Sequence, residues 1–161
     1  MTQPALEQNV AKALTERGLT LSVAESCTGG LLSKRITDVA GASKFYKGGA
    51  CTYCNEIKHK ILGVRTETLE RYTAVSQQTA AEMAQGIACV YETDLGIGIT
   101  GYAGPDGGED GTPVGTIYIG LFCQGQIQVH KIVSPHGREQ ARQDAADEAL
   151  RMILCAIPDK D

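Results

Sequence analysis

The sequence is poor in the residues and patterns that mark several common kinds of protein. Its 161 residues include no tryptophan, two phenylalanines and three histidines, and no apolar run approaches the roughly 18 residues that a membrane span requires. The formal net charge is −4 without any basic block, which argues against general nucleic-acid binding. Residues 1–17 lack the basic and then apolar layout of a signal peptide. We therefore expect a cytoplasmic protein that has neither a membrane nor a nucleic-acid partner.

The six cysteines give no sign of a metal or redox site. They are spread through predicted strands and helices, so we expect small buried side chains in a reducing compartment. Cys51 and Cys54 have the two-residue spacing of many zinc and redox sites, but no second pair completes a zinc site. The pair also lies in a predicted strand rather than at the start of a helix. We predict no metal.

Apolar periodicity predicts alternating helices and strands along residues 1–161, which we interpret as one domain. The predicted helices cover 5–17, 28–39, 55–62, 76–91 and 138–157, and the predicted strands cover 19–23, 44–53, 94–100, 114–123 and 126–133. Strands alternate with helices early and pair locally late, which predicts an α/β fold with a mixed sheet covered on both faces. Alanine-rich helix faces favour a homo-oligomer.

Individual residues mark the predicted helix ends and core faces. Asn55 and Ser76 are predicted to be N-caps. Met83, Ile87 and Val90 recur at helical spacing and should share a core-facing side.

Ser26 lies in the segment Ala-Glu-Ser-Cys-Thr-Gly-Gly at 24–30, between a predicted strand and a predicted helix. Such a junction can present a nucleophile beside the first N–H groups of the helix, which lack internal acceptors. The two glycines allow a ligand to approach the backbone closely. Histidine offers no clear partner, because His130 and His136 are best explained as strand and turn residues. A Ser-His-Asp triad therefore has no strong candidate set.

Lys58 is the better candidate for a base that activates Ser26. A helix advances by about 100° per residue, which places Lys58 between Ile61 and Leu62 on the apolar side of the predicted helix 55–62. His59 and Lys60 point away from that side. Burial disfavours the ammonium form, and a neutral amine can accept a proton from a serine hydroxyl. The alternative is a lysine whose stem packs on the core while its amine reaches water.

Tyr53 precedes the same helix and could relay a proton or orient the lysine. Packing against neighbouring strand residues is the alternative for this side chain.

A second glycine-rich loop follows the predicted strand 94–100 and includes Thr-Gly-Tyr-Ala-Gly at 100–104. Open α/β sheets bind ligands at the carboxyl ends of their strands, and exposed backbone N–H groups suit a polar ligand. A mobile surface loop is the alternative. The loop is neither a Walker A motif nor a dinucleotide fingerprint, so we predict no ATP or nicotinamide cofactor.

Arg138 and Arg142 are four residues apart at the start of the last predicted helix and therefore share a face. Together with the helix N-terminus they could grip a phosphate group. Salt bridges to Glu139 or Asp144 are an equally open explanation.

Several motifs together resemble the CinA C-terminal domain family, whose characterised members include nicotinamide-nucleotide amidases. They are Ala-Glu-Ser-Cys-Thr-Gly-Gly at 24–30, Tyr-Cys-Asn-Glu-Ile-Lys at 53–58, Ala-Val-Ser at 74–76, Thr-Gly-Tyr-Ala-Gly-Pro-Asp-Gly-Gly at 100–108 and Pro-Val-Gly-Thr at 113–116. They follow the family's order over residues 5–157. Cys54 stands where relatives usually carry serine, a small change at the start of the lysine helix.

The resemblance implies a three-layer α/β/α sandwich and an activity in pyridine nucleotide salvage. The reaction would hydrolyse the carboxamide of nicotinamide mononucleotide to nicotinate mononucleotide and ammonia, without a metal or other cofactor. Ser26 matches the nucleophile, Lys58 the base and Tyr53 a tyrosine of the site. We expect substrate contacts from Thr28, Gly29, Gly30, Thr100, Gly101, Arg138 and Arg142. The chain resembles the stand-alone form of the domain.

Two other functions remain open on the sequence. A non-catalytic nucleotide-binding module, acting in a competence or DNA-damage response, would keep the glycine loop and the arginines without a neutral lysine. An amidase for another pyridine or nucleotide amide would keep the serine and lysine but use a different substrate.

Overall fold

The structure is a computed structural model that describes residues 5–157. The helices are α1 Leu6–Arg17, α2 Leu31–Thr37, α3 Asn55–Leu62, α4 Thr66–Tyr72, α5 Gln77–Tyr91 and α6 Arg138–Ala156. The strands are β1 Leu21–Glu25, β2 Tyr46–Cys51, β3 Leu95–Gly101, β4 Thr116–Cys123 and β5 Gln126–Val133. Within the described range, no helix has the length and apolar character needed to cross a membrane.

The strands form one mixed sheet with the order β2-β1-β3-β4-β5. β1 pairs in parallel with both β2 and β3, whereas β3–β4 and β4–β5 are antiparallel. Helices α1, α2 and α6 cover one face, and α5 covers the other with α3 and α4 beside it. This is the three-layer α/β/α sandwich that the sequence predicted.

The two faces of the sheet are chemically different because aliphatic residues and glycines alternate along the central strands. Toward α1, α2 and α6 the strands present fully buried aliphatic side chains, which form the larger core: Leu21, Val23, Leu95, Ile97, Ile99, Ile117, Ile119 and Leu121. The intervening positions of β3 and β4 include Gly96, Gly98 and Gly120. Side chains thus fill one interlayer space and leave little bulk in the other.

Helix α5 lies directly against the glycine face. A Cβ atom on Gly96 would lie 2.2 Å from the Ala84 carbonyl oxygen, and one on Gly120 would lie 2.4 Å from that of Ala80. Helix α3 approaches α5 in the same way, because a Cβ on Gly86 would lie 2.0 Å from the Leu62 carbonyl oxygen. Glycines therefore fix how closely α5 packs on the sheet and α3 packs on α5.

The three helices on the opposite face are joined by one shared arginine. The Arg35 guanidinium of α2 donates to Glu7 Oε2 of α1 at 2.9 Å and to Asp147 Oδ1 of α6 at 2.8 Å. The Arg35 side chain is only 17% exposed, so this pair of contacts is screened less by solvent than a fully exposed ion pair.

Most predicted elements are present with shifted ends, but helix α4 was not predicted from the sequence. At seven residues it is too short to show a clear apolar period. Asn55 is the first residue of α3 rather than its N-cap, a position that Cys54 occupies. Ser76 is an N-cap as predicted, and its side chain accepts from the Thr79 N–H.

The predicted burial of Val90 and of most cysteines was wrong. Val90 is 54% exposed, although it lies one turn from buried Ile87; at this end of α5 the next residue, Tyr91, packs on β2 instead. The cysteines are free, and only Cys27 is buried; Cys123 is half-buried, and Cys51, Cys54, Cys89 and Cys155 are exposed. Cysteine preference for the interior is a weak guide when a residue lies at the edge of an element.

Gly120→Ala should lower the free energy of unfolding by about 3 kcal/mol, because the new methyl group would overlap the backbone of α5. Gly125→Ala is the control, since its Cβ would meet nothing within 4 Å and only its left-handed φ of 78° is unfavourable. That variant should lose about 1–2 kcal/mol. Urea unfolding of both variants measures the difference. Equal losses would show that α5 moves away from the sheet without cost.

Candidate functional site

The candidate site lies where the three parallel strands end at one edge of the sheet. β1 ends at Glu25 and leads into the turn that carries Ser26. β2 ends at Cys51, followed by Thr52 and Tyr53 and then by α3, which carries Lys58. β3 ends with Thr100 and Gly101. Parallel topology therefore gathers the predicted serine, lysine and glycine loop, as expected for an α/β sheet.

Lys58 lies on the short helix α3, and its amine contacts the Ser26 hydroxyl. Its Nζ lies 2.9 Å from Ser26 Oγ, 2.7 Å from the Thr52 carbonyl oxygen and 3.1 Å from the Tyr53 carbonyl oxygen. The residue is 1% exposed, so its amine does not extend into bulk solvent, as the alternative required. Lys58 and Leu62, one turn apart, form the buried side of α3. Ile61 was predicted to share that side but is 40% exposed.

Burial lowers the pKa of the Lys58 ammonium from 10.5 to about 8, because the charged form loses its hydration. About a tenth of the amine is then neutral at pH 7, compared with less than about a thousandth for an ordinary lysine. Burial acts in the opposite direction on Cys27, which follows Ser26, and raises the pKa of its thiol to about 11. That thiol stays protonated over the physiological range, so the serine–lysine pair is the reactive combination in this turn.

Two charged side chains hold the turn that carries Ser26. The buried Glu25 carboxylate accepts from the N–H groups of Leu32 and Ser33 at 2.8 Å and 3.1 Å. Arg142 Nη2 donates to the Thr28 carbonyl oxygen at 2.7 Å. The start of α2 was expected to offer N–H groups to an anion, but Glu25 takes two of them. This protein's own carboxylate therefore fills that part of the helix N-terminus.

A cavity of about 230 Å³ opens over Ser26 and Lys58. Among the predicted substrate-binding residues, it is lined by Thr100, Gly101 and Arg138. The lining also includes Ala103 and Gly104, whose N–H groups have no hydrogen-bond acceptor among the described residues. The cavity thus places a serine hydroxyl, an amine and available backbone donors around one small volume.

The remaining predicted binding residues, Thr28, Gly29, Gly30 and Arg142, do not line the cavity. Thr28 is 0% exposed, and the Arg142 guanidinium is used on the Thr28 carbonyl. Gly29 and Gly30 have φ values of 56° and 100°, so they are required for the shape of the turn. The Thr100 hydroxyl donates to the Ala74 carbonyl oxygen at 2.6 Å. These residues shape the site rather than line it, apart from Thr100.

Tyr53 and Arg138 lie together at the mouth of the cavity. The Tyr53 side chain is 64% exposed, which does not fit the strand-packing alternative. Its phenol oxygen is 3.5 Å from Arg138 Nη2, and Arg138 Nη1 donates to the Gly104 carbonyl at 2.5 Å. The Tyr53 backbone carbonyl, and not the phenol, contacts the Lys58 amine. Neither arginine forms the salt bridge to Glu139 or Asp144 that the sequence left open.

Sequence reasoning missed three contributors to the site. The carbonyl groups of Thr52 and Tyr53 hold the lysine, and backbone contacts of this kind leave no side-chain pattern. Ala74 and Val75 line the cavity from the segment before α5, and Asp106 lines it from the glycine loop. The motif Ala-Val-Ser at 74–76 was the one signal in the sequence that could have pointed to Ala74 and Val75. Among residues 5–157, no group of three His, Cys, Asp or Glu side chains is placed to hold a metal ion.

Known proteins resemble this chain in sequence and in fold, which identifies the family. A sequence model of the CinA C-terminal domain matches residues 3–157. The chain is 46% identical over 155 residues to a CinA-like protein of Kosmotoga olearia and 44% identical over 154 residues to one of Leptospira biflexa. This chain belongs to the CinA C-terminal domain family.

Solved structures agree with this assignment. The competence or damage-inducible protein of Enterobacter asburiae superposes with a TM-score of 0.93 at 40% identity, covering 95% of this chain and 96% of that chain. A CinA superfamily protein of Escherichia coli gives 0.91 at 38% identity, covering 95% and 93%. The alignments cover 96% and 95% of this chain but only 38% and 37% of the Kosmotoga and Leptospira proteins.

The buried amine predicts a specific pH dependence of stability. Because the Lys58 pKa is lowered to about 8 on folding, the unfolded chain binds more protons between pH 8 and 10.5, and stability rises with pH there. The free energy of unfolding of the wild type should therefore gain roughly 2 kcal/mol relative to Lys58→Met between about pH 7 and pH 10. Urea unfolding of both proteins at each pH measures this, since other groups titrate equally in both. Parallel pH curves would contradict a perturbed lysine.

Proposed function

We propose that this chain hydrolyses the carboxamide of nicotinamide mononucleotide to nicotinate mononucleotide and ammonia, with Ser26 as nucleophile and Lys58 as base. The observation that carries this proposal is the buried contact between Lys58 Nζ and Ser26 Oγ at 2.9 Å, combined with a lysine pKa lowered to about 8. Membership of a family that includes amidohydrolases supports the reaction class.

The surroundings of Lys58 aim its lone pair at the serine. An ammonium group has three N–H donors, which match the three oxygens within 3.1 Å of Nζ. When the amine loses one proton, its two remaining N–H groups can stay on the Thr52 and Tyr53 carbonyls, which only accept. The lone pair then faces Ser26 Oγ, and the serine hydroxyl donates to Nζ. Two backbone carbonyls thereby orient a general base.

Acylation follows from that geometry. Lys58 takes the hydroxyl proton while Ser26 Oγ attacks the carboxamide carbon. The oxygen of the carboxamide gains negative charge, and backbone N–H groups at the cavity wall, from Cys27, Ala103 and Gly104, are the available donors for it. Protonated Lys58 then donates to the amide nitrogen as the carbon–nitrogen bond breaks, which releases ammonia and leaves a nicotinoyl ester on Ser26.

In deacylation, water is the nucleophile and Ser26 Oγ is the leaving group. The neutral amine of Lys58 takes a proton from water, whose oxygen attacks the ester carbon, and returns that proton to Ser26 Oγ as the ester bond breaks. The product is nicotinate mononucleotide. No step requires a group beyond the serine, the lysine, backbone donors and water.

Arg138 is the proposed contact for the phosphate of the substrate. It lines the cavity beside the exposed Tyr53 phenol, and a guanidinium group pairs well with phosphate oxygens. Arg142 has a different proposed role, since its guanidinium holds the Thr28 carbonyl and so the Ser26 turn.

Ser26→Ala and Lys58→Ala should each reduce ammonia release from nicotinamide mononucleotide by at least about a thousandfold, because each removes a reacting group. Lys60→Ala is the matched control, since Lys60 lies on the same helix but is exposed, and it should keep full turnover. An ammonia assay with circular dichroism as a folding check measures both. Near-normal turnover of Ser26→Ala would end the assignment. Substrate binding without turnover in the wild type would instead favour a non-catalytic nucleotide-binding module.

The pH profile of kcat/KM should follow the deprotonation of Lys58. Below a pKa of about 8, the rate should rise about tenfold per pH unit and then level off, because only the neutral amine accepts the serine proton. Cys27→Ala should keep the same midpoint, since the Cys27 thiol titrates near 11. A flat profile between about pH 6 and pH 9, or a midpoint that disappears in Cys27→Ala, would contradict lysine as the base.

A further inference from the structure

The segment Thr73–Ser76, between α4 and α5, is held in an unusual conformation beside the cavity. Thr73 has a φ of 69° and a ψ of 173°, and a β-branched residue rarely adopts a positive φ. Such backbone strain persists only where surrounding contacts impose it, and it is common beside ligand sites. The 73–76 segment therefore has to be held by specific contacts.

Hydroxyl groups supply those contacts. The Thr73 carbonyl oxygen accepts from Thr79 Oγ1 at 2.8 Å and from Ser76 Oγ at 3.2 Å, and Thr73 Oγ1 accepts from the Val75 N–H at 3.3 Å. These bonds are local to the segment and to the start of α5. Thr100 Oγ1, from the end of β3, donates to the Ala74 carbonyl oxygen at 2.6 Å. It is the contact that ties the 73–76 segment to the sheet.

The 73–76 segment supplies aliphatic surface to a cavity whose lining also contains aromatic and charged side chains. Ala74 and Val75 line the cavity, together with Ala103 from the glycine loop. The lining side chains elsewhere include a hydroxyl, an amine, a phenol, a carboxylate and a guanidinium, from Ser26, Lys58, Tyr53, Asp106 and Arg138. The ring of nicotinamide mononucleotide is a flat pyridinium cation. Its charge suits the tyrosine rings and the Asp106 carboxylate in the lining, while one face of the ring can pack against the methyl groups of the segment.

We propose that the 73–76 segment is the wall on which the pyridine ring of the substrate packs, and that Thr100 is the positioning residue that holds this wall. The inference rests on the proposed function, because it needs a pyridine carboxamide at Ser26. It gives Thr100 a role through Ala74 and Val75 rather than through a direct bond of its hydroxyl to substrate.

Thr100→Val tests the wall with a closely matched control. Thr100 is 1% exposed and Thr116, on the adjacent strand β4, is 0% exposed. The Thr116 hydroxyl has no hydrogen-bond partner within the described residues. The same change from hydroxyl to methyl thus removes the Ala74 contact at one position and no contact at the other. Both variants are made in the Ser26→Ala background, so that binding is measured without turnover.

Three ligands separate a ring-specific effect from general loosening of the site. Thr100→Val should raise the dissociation constants of nicotinamide mononucleotide and of nicotinamide about fivefold, the size expected for one lost hydrogen bond. Ribose 5-phosphate, which lacks the ring, should bind with unchanged affinity. Thr116→Val should change none of the three. NMR titration measures all of these constants. In the enzyme with Ser26 restored, Thr100→Val should raise KM and leave kcat within about twofold, since the Ser26–Lys58 contact is untouched.

The outcomes distinguish this inference from the proposed function. Equal affinities in the two variants, or equal weakening of all three ligands by Thr100→Val, would overturn the wall while leaving hydrolysis intact. Thr116→Val also tests the proposed function. If it does not bind nicotinamide mononucleotide in the Ser26→Ala background and does not release ammonia with Ser26 restored, the proposed function fails and the inference fails with it. Amide hydrogen exchange of residues 73–76 without ligand should be faster only in Thr100→Val, and unchanged exchange would overturn the anchoring role. If Thr100→Val does not fold, Val75→Ala carries the same binding prediction.

Discussion

The geometry of the site depends on one buried contact, the approach of the Lys58 amine to the Ser26 hydroxyl. An amine that is 1% exposed has lost its hydration, and three oxygens of the protein replace the water. Two of those oxygens are carbonyls, which can only accept, whereas the third belongs to a hydroxyl that can also donate. When the ammonium group loses a proton, its lone pair therefore faces the serine hydroxyl. The same burial that destabilises the folded protein at neutral pH is what makes the lysine a useful base, a common compromise at functional sites.

A series of close backbone contacts carries the lysine to this position. Gly96, Gly98 and Gly120 let α5 lie on the sheet, and Gly86 lets the end of α3 lie on α5. Side chains at these positions would move α3 outward and separate Lys58 from the turn after β1. The glycine content of the central strands is therefore part of the site, although none of these four glycines lines the cavity. The distance between the sheet and α5 therefore sets the position of Lys58 relative to Ser26, because the layers are closely packed.

In the turn that carries Ser26, N–H groups at the start of α2 bind a carboxylate of the same chain and not a ligand. Glu25 caps the N–H groups of Leu32 and Ser33 from within the chain, and Arg142 binds the Thr28 carbonyl from α6. Opposite charges thus fix the two sides of the turn and hold the hydroxyl in place. The backbone donors without an acceptor among the described residues lie on both sides of the cavity, at Cys27 in the turn and at Ala103 and Gly104 in the glycine loop. The cavity is formed between two loops with different tasks, one rigidly presenting the nucleophile and the other facing the ligand.

The sequence by itself determined the order and type of most elements, because alternation along the strands and helical spacing of apolar residues are local properties. It also singled out Ser26 at a strand–helix junction and Lys58 on the apolar side of a short helix, again from local spacing. Helix α4 and the exposure of Val90 and of most cysteines were missed, since short elements and element ends depend on what packs against them. Only the tertiary structure decided that Glu25 fills the start of α2, that Arg142 and Thr100 bind backbone carbonyls, and that Thr52 and Tyr53 hold the lysine. Those contacts join residues that are distant in sequence, or they use backbone atoms, which every residue has. A pattern of side chains therefore cannot predict them.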